Sequence, residues 1–232
     1  MFHTTLAGTG FTIDPQYPYT EKLFEGYKTE ERGAKIRVSR EEIERERTPE
    51  QDWPMGYLES LAIYRKICEQ LVSKNVLLFH SSAIEFEKKA ILFTGPSGTG
   101  KTTQTRNWKK VFHDQVRILN GDKPLVKVEP DAVTVFGTPY AGKEGYQTNA
   151  SAPVRCIVIL KQAKENKVVR LSSKEAFPVL LSQTFKPVDS AAVVKTLNLV
   201  QTLSQVPIYR LECNLSLDAV KVLLQALQED QI

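Results

Sequence analysis

Nine consecutive residues, Gly95-Pro96-Ser97-Gly98-Thr99-Gly100-Lys101-Thr102-Thr103, follow the unbroken apolar run Ala90-Ile91-Leu92-Phe93-Thr94. They fit G-x-x-x-x-G-K-[ST], the pattern of a phosphate-binding loop. The glycines let the backbone curl until successive N–H groups converge on phosphate oxygens. Lys101 supplies the charge that reaches β- and γ-phosphates, and the Thr102 hydroxyl is a ligand for Mg²⁺. A helix starting near Lys101 turns its positive end toward the same phosphates. With glycine at roughly 7% usage, the bare pattern arises by chance in roughly one chain in a hundred of this length. The context adds to it. A buried strand leads in, and residues from Thr102 through Phe112 can continue as a helix. ATP and Mg²⁺ are the expected cofactors, held by Gly95 through Thr103; no guanine-specificity motif is present. The competing reading is a glycine-rich turn with an incidental lysine.

One helix, one turn and one strand further on, Val116-Arg117-Ile118-Leu119-Asn120 ends at Gly121-Asp122-Lys123. A parallel strand beside the first would bring Asp122 to the carboxyl ends of the strands, where ligands bind. A carboxylate there can hold Mg²⁺, directly or through water, or take a proton from an attacking hydroxyl. It also reads as a turn aspartate next to glycine. The loop Gly137-Thr138-Pro139-Tyr140-Ala141-Gly142-Lys143-Glu144-Gly145-Tyr146 carries one lysine among glycines. Lys143 is a second cation for phosphate or substrate, or an exposed loop lysine.

These residues need elements to hold them. Leu58, Leu61, Ala62, Tyr64, Ile67, Cys68 and Leu71 recur at three- and four-residue steps, which predicts a helix from Pro54 to about Ser73. Val76 through Ile84 reads as a strand, or a strand and a bend, and Glu85 through Lys89 as a polar turn. Pro124-Leu125-Val126-Lys127-Val128 and Ala132-Val133-Thr134-Val135-Phe136 flank Glu129-Pro130-Asp131 as a hairpin. A doubly wound fold would have a helix there. Ala152 through Leu160 is a core strand led by Pro153, with Arg155 either facing the site or at an edge. A helix starts at Ser173, capped by Ser172 or Ser173. Ala191 to Leu203 and Ser216 to Leu227 are amphipathic helices around a last strand, Val206 to Leu211.

The first fifty residues differ in character. Gly10-Phe11-Thr12-Ile13 and Ala34-Lys35-Ile36-Arg37-Val38 read as short strands, so residues 1–50 are expected to be a small β-rich N-terminal segment, either a subdomain of its own or an edge of the main sheet. Charge is densest between Thr29 and Glu50, with both signs mixed, which suits a solvated surface or a short helix with i,i+4 pairs. Residues 54–232 form the expected catalytic domain.

The chain has 232 residues, a formal net charge of +4, 41% hydrophobic and 25% charged residues. Such usage argues against disordered, collagen-like or coiled-coil classes. Basic residues alternate with acidic ones, so no nucleic-acid footprint is expected. The longest aliphatic runs fall far short of the roughly 20 residues of a membrane-spanning helix, so no membrane partner is expected. The N-terminus lacks a basic stretch followed by an apolar one, so no signal peptide is expected. Cys68, Cys156 and Cys213 are odd in number, widely spaced and set among apolar neighbours. They read as buried reduced thiols of a cytoplasmic protein.

The sequence resembles the HPr kinase/phosphorylase catalytic domain and its compact HPr-kinase-like relatives, which share a P-loop fold with ATP-dependent phosphoenolpyruvate carboxykinase. The resemblance rests on His80-Ser81-Ser82-Ala83-Ile84, on Gly95 to Thr103, on Asn120-Gly121-Asp122-Lys123, on Gly137 to Lys143 and on the strand Val154 to Leu160. It covers roughly residues 54–215. It implies an α/β fold, a mixed sheet flanked by helices. It implies that Asp122 is a general base toward a serine hydroxyl, that Lys101 and Thr102 act on phosphate and metal, and that His80 lies beside the nucleotide. A lone histidine at a strand end also has a structural reading. HPr kinases are oligomers, which implies a homo-oligomer here. The first fifty residues do not look like the separate N-terminal domain of a full HPr kinase, and the signature stretch for HPr and phosphorolysis is not found. The chain is far shorter than a carboxykinase and lacks its set of arginines and histidines, so oxaloacetate chemistry is not expected.

The expected function is therefore ATP- and Mg²⁺-dependent transfer of the γ-phosphoryl to a hydroxyl, with serine of a peptide, a protein or the free amino acid as acceptor. Asp122, Lys101, His80 and Lys143 are the candidate catalytic residues, and Thr102 and Asp122 the candidate metal ligands. The alternative is a nucleotide-binding regulatory ATPase or switch with no dedicated acceptor.

Overall fold

The computed structural model describes residues 1–49 and 51–231; Glu50 and Ile232, where two of the expected segment boundaries fall, lie outside them. Ala7 and Gly8, at φ of 48° and 75°, turn Phe2–Leu6 (β1) back on Thr9–Ile13 (β2) as an antiparallel pair. Pro18–Leu23 (α1) follows, and Ala34–Ile36 (β3) then joins β2 in parallel. Both strands expected in this segment are present. The charged stretch holds one short helix, Arg40–Glu44 (α2), with a Ser39–Glu42 capping box. Its charges pair both locally and outward: Glu44 with Arg47 three residues on, Glu46 with Arg65 and Glu42 with Lys66.

Arg65 and Lys66 belong to Met55–Val72 (α3). Phe11, Ile13, Phe24 and Ile36 share one core with Leu58, Ile63, Ile67 and Leu71 of this helix. Leu61, part of the expected apolar stripe, is only partly buried and turns toward a cleft. Asn75, at φ of 62°, carries the chain out of the helix.

A nine-stranded mixed sheet among the described residues forms the rest. It contains Val76–Leu78 (β4), Ser81–Phe86 (β5), Lys89–Thr94 (β6), Val116–Asn120 (β7), Leu125–Glu129 (β8) and Ala132–Phe136 (β9). Ser151–Gln162 (β10), Lys167–Leu171 (β11) and Ile208–Cys213 (β12) complete it. The order is β4-β8-β9-β10-β6-β5-β7, with β12 on β10 and β11 on β12. The long β10 is its spine. Ser151 to Pro153 pair antiparallel with β9, residues up to Ile159 pair parallel with β6, and Ile157 to Gln162 pair parallel with β12.

The expected hairpin is β8–β9. The polar turn expected at 85–89 is shorter: β5 runs to Phe86, and Glu87 and Lys88, both at positive φ, make the turn. That turn closes β5 on β6 and takes up one edge of β6, while β10 takes the other. Strand β7 is therefore not beside β6. It pairs antiparallel with β5, two strands over, and still runs in the direction of β6.

Helices cover both faces. Lys101–Phe112 (α4) and Asp218–Glu229 (α7) pack Trp108, Val220 and Leu223 against Ile91, Phe93, Val158 and Leu160. Ser173–Ser182 (α5) and Ser190–Leu203 (α6) pack Leu180, Leu199 and Leu203 against Leu92 and Ile157. Successive residues of β6 and β10 thus serve opposite faces, which is why these strands are apolar without alternation. All three cysteines are free and buried. Burial pushes the Cys156 thiol up to about 12 and raises Cys68 and Cys213 as well.

One tight approach behind the cleft is testable. A Cβ at Gly137 would stand 2.0 Å from the Thr148 carbonyl oxygen and 2.5 Å from that of Leu119. Gly137→Ala should cost about 1–3 kcal/mol, read as a lower urea midpoint. Gly26→Ala, with nothing within 4 Å of the added carbon, should leave the midpoint nearly unchanged.

Candidate active site

Strand direction gathers the site. The chain leaves β6 into the Gly95–Gly100 loop and leaves β7 into Gly121-Asp122-Lys123, while His80 immediately precedes β5. Because β5 runs against both neighbours, its beginning meets their ends. All three segments line one cleft of about 930 Å³.

The loop has the backbone its glycines were expected to allow. Gly95, Gly98 and Gly100 adopt φ of 143°, 83° and 108°, and α4 begins at Lys101 with Gly100 as its cap. Buried Ser82 and Thr105 tie the first turn of α4 to β5. The Thr105 hydroxyl lies 2.9 Å from Ser82 Oγ and 3.1 Å from the Lys101 carbonyl, within hydrogen-bond reach of both. Gln162, at the end of β10, donates to the Gly98 carbonyl at 2.9 Å. Lys101 Nζ folds over the loop and donates to the carbonyls of Gly95 and Pro96, at 2.8 and 3.3 Å. Burial lowers the Lys101 ammonium from its ordinary range, the Asp122 charge pulls it back up, and Lys123 pushes it down. Lys101 and Asp122 both line the cleft.

Asp122 is fixed by a residue whose part sequence spacing did not reveal. The fully buried Asn120 side chain accepts from Asp122 N at 2.9 Å and Lys123 N at 2.8 Å. It donates to the carbonyl and hydroxyl of Thr138, at 2.9 and 3.1 Å. The Thr138 hydroxyl donates on to the Lys123 carbonyl at 2.8 Å, and Tyr64 donates to the same carbonyl at 2.8 Å. An Asx turn signal was legible at Asn120, but its partners lie in distant strands and helices. Gly142 sits against this turn, where a Cβ would come within 3.0 Å of Asp122 Cβ.

The Asp122 carboxylate bonds to Lys123 Nζ and lies 3.3 Å from His80 Nε2. His80 Nδ1 is held by Gln183 Oε1 at 2.9 Å; Gln183, at the end of α5, is a further residue the sequence did not single out. Burial alone would raise the Asp122 carboxyl. The His80 hydrogen bond and the Lys123 charge outweigh it and hold the group well below the usual carboxylate range.

The other expected residues divide. Thr102 and Thr103 are half-buried on the cleft, and Lys143 is exposed on its rim. Arg155 bonds to Glu87 at the β5–β6 turn, the opposite end of the sheet from the loop, so it does not face the site. The hydroxyl of Thr102 and the carboxylate of Asp122 are hard oxygen donors of the kind Mg²⁺ takes. No group of three or more histidine, cysteine or acidic side chains suited to a metal ion occurs among the described residues. No helix among them is long and apolar enough to cross a membrane.

Fold and site together define a mixed α/β protein in which a glycine-rich strand-to-helix loop faces a carboxylate across one cleft. The sequence matches the family described as SynChlorMet cassette protein ScmC over residues 46–227, and the chain belongs to that family. No curated protein matches it in sequence. Among solved structures, the Hpr(Ser) kinase/phosphatase from Coxiella burnetii is similar with 10% identity and a TM-score of 0.41, over 66% of this chain and 97% of that one.

The depressed Asp122 carboxyl has a defined acid signature. A folded pKa below the unfolded value contributes stability above about pH 4, and that contribution is lost as pH falls. Asp122→Asn should shrink the drop in urea midpoint between about pH 4 and pH 2 relative to the unaltered chain. An equal drop in both would show that His80 and Lys123 do not hold the carboxylate.

Proposed function

We propose that the chain is an ATP- and Mg²⁺-dependent kinase that transfers the γ-phosphoryl group to a hydroxyl, with serine of a peptide, a protein or the free amino acid as acceptor. The observation that carries this reading is that Lys101 and Asp122, from separate strand ends, line one cleft. A phosphate loop alone serves any nucleotide-binding protein. A hydrogen-bonded turn with its carboxylate in the same cleft as that loop supports transfer to an acceptor.

Bound Mg²⁺ would offset phosphate charge, with Thr102 and Asp122 as the protein's oxygen donors. Lys101 and the loop amides would stabilise the transferring group. Asp122 would orient the acceptor hydroxyl and take its proton as the oxygen–phosphorus bond forms and the bond to ADP breaks. Such a transition state is loose, so little proton abstraction is needed early. That suits a carboxylate made weakly basic by Lys123 and His80. Lys143, on the rim, is a second cation within reach of the cleft's mouth.

The same engagement of Asp122 favours a second reading, a nucleotide-binding regulatory ATPase without a dedicated acceptor. One experiment separates the two: the purified chain, γ-labelled ATP, Mg²⁺ and a cell extract. A labelled acceptor that disappears with Asp122→Asn supports the kinase, while phosphate release with no labelled acceptor supports the second reading. Lys101→Ala should weaken nucleotide binding and lower the rate together. Asp122→Asn should lower turnover about 10²-fold or more while retaining ATP binding. Loss of Mg²⁺-ATP binding in Asp122→Asn would make it a metal ligand first.

A further inference from the structure

The cleft has a second wall, on the α3 side of Asp122, that phosphate chemistry does not use. Tyr19 of α1, Trp53, and Tyr57 and Leu61 of α3 form it. The Trp53 and Tyr57 rings stand 4.9 Å apart, and Tyr19 meets Tyr57 edge-on at 6.0 Å. Tyr19 is 44% exposed, so these rings are not closed into a core.

Two features hold the wall in place. Glu59 is fully buried, and a buried carboxylate is costly unless it is hydrogen-bonded. Its oxygens accept from Gln16 N at 2.5 Å, Tyr17 N at 3.1 Å and the Thr20 hydroxyl at 3.2 Å. All three donors belong to the segment that carries Tyr19. Gly56 then lets that segment lie on α3: a Cβ there would come within 2.9 Å of Tyr19 Cβ and 3.2 Å of Tyr17 Cβ.

Its length and direction indicate an occupant. Tyr64 touches the Lys123 carbonyl beside Asp122, and Tyr57 lies two turns earlier on the same helix, about 10 Å along its axis. Three residues of extended chain cover that distance; serine alone does not. Lys101, which serves the β- and γ-phosphates, Asp122 and the aromatic wall all line the same cleft.

We propose that Tyr19, Trp53 and Tyr57 are the acceptor subsite, and that they take an aromatic or large apolar side chain within about three residues of the phosphorylated hydroxyl of a peptide. The assignment rests on the kinase reading of the same cleft. The rings would stack on or meet edge-on the incoming side chain, while Glu59 and Gly56 keep the wall formed before the peptide arrives.

Trp108 is buried in the sheet core, so Trp53 is the tryptophan placed to report on the cleft. The full chain is titrated with acetyl-Phe-Ala-Ser-Ala-Phe-amide and with acetyl-Ala-Ala-Ser-Ala-Ala-amide, following tryptophan emission. A fluorescent ATP analogue is titrated separately. The phenylalanine peptide should change the emission and bind about tenfold tighter than the alanine peptide. Tyr19→Ala should remove about that factor, Tyr19→Phe should retain it, and neither should change binding of the ATP analogue. Equal binding of the two peptides overturns the proposal. So does a parallel loss of peptide and ATP analogue in Tyr19→Ala, which would assign the wall to the nucleotide. Failure of the unaltered chain to bind the ATP analogue is seen in its own titration. It would defeat the kinase reading, and the acceptor assignment with it, whatever the peptides do.

Discussion

Strand β5 runs antiparallel between β6 and β7, and the candidate site exists because of it. Its beginning lies where its neighbours end, so one end of these strands collects His80, the glycine loop and the Asp122 turn. Sheet hydrogen bonding fixes this arrangement, since a strand with partners on both edges cannot slide without exposing its buried residues. Ile84 and Ala83 of β5 are fully buried on opposite faces, so a slip of one residue would exchange their environments.

On that frame the polar groups are held by one another. Asn120, Thr138 and Tyr64 satisfy the backbone of the Asp122 turn, and His80 and Lys123 hold its carboxylate charged. Buried polar groups are costly unless paired, so the turn, the Gly137–Tyr146 loop and α3 form a mutually dependent set. Lys101 hydrogen-bonds to none of these groups; it donates to loop carbonyls and is lowered by burial. A cation held only by neutral carbonyls is the more readily turned to an anionic partner.

The N-terminal sheet enters the same set from outside. It shares a core with α3, and α3 carries Tyr57 on one side of the cleft and Tyr64 against the Asp122 turn. Glu59 joins the two parts through three donors from residues 16–20. The small segment thus supplies Tyr19 and Leu23 to one wall of the cleft as well as covering one face of a helix.

Much of this was legible in the residues. The glycine spacing and the flanking apolar strand located the loop and the helix that follows it. The 3.6-residue period located α3, and the Glu129-Pro130-Asp131 turn located the β8–β9 hairpin. Those signals are local, because they come from φ restrictions and from one element's periodicity. The missed features all depend on contacts between distant parts of the chain. That β5 would lie between β6 and β7 was decided by which strand edges remained open. Asn120 with Thr138, His80 with Gln183 and Glu59 with Gln16 meet only after the sheet and helices pack. Sequence determined the chemical types available and the short elements bearing them; tertiary structure decided which carboxylate is buried, which is paired and which faces the loop, because burial and charge pairing are properties of surroundings that no single segment contains.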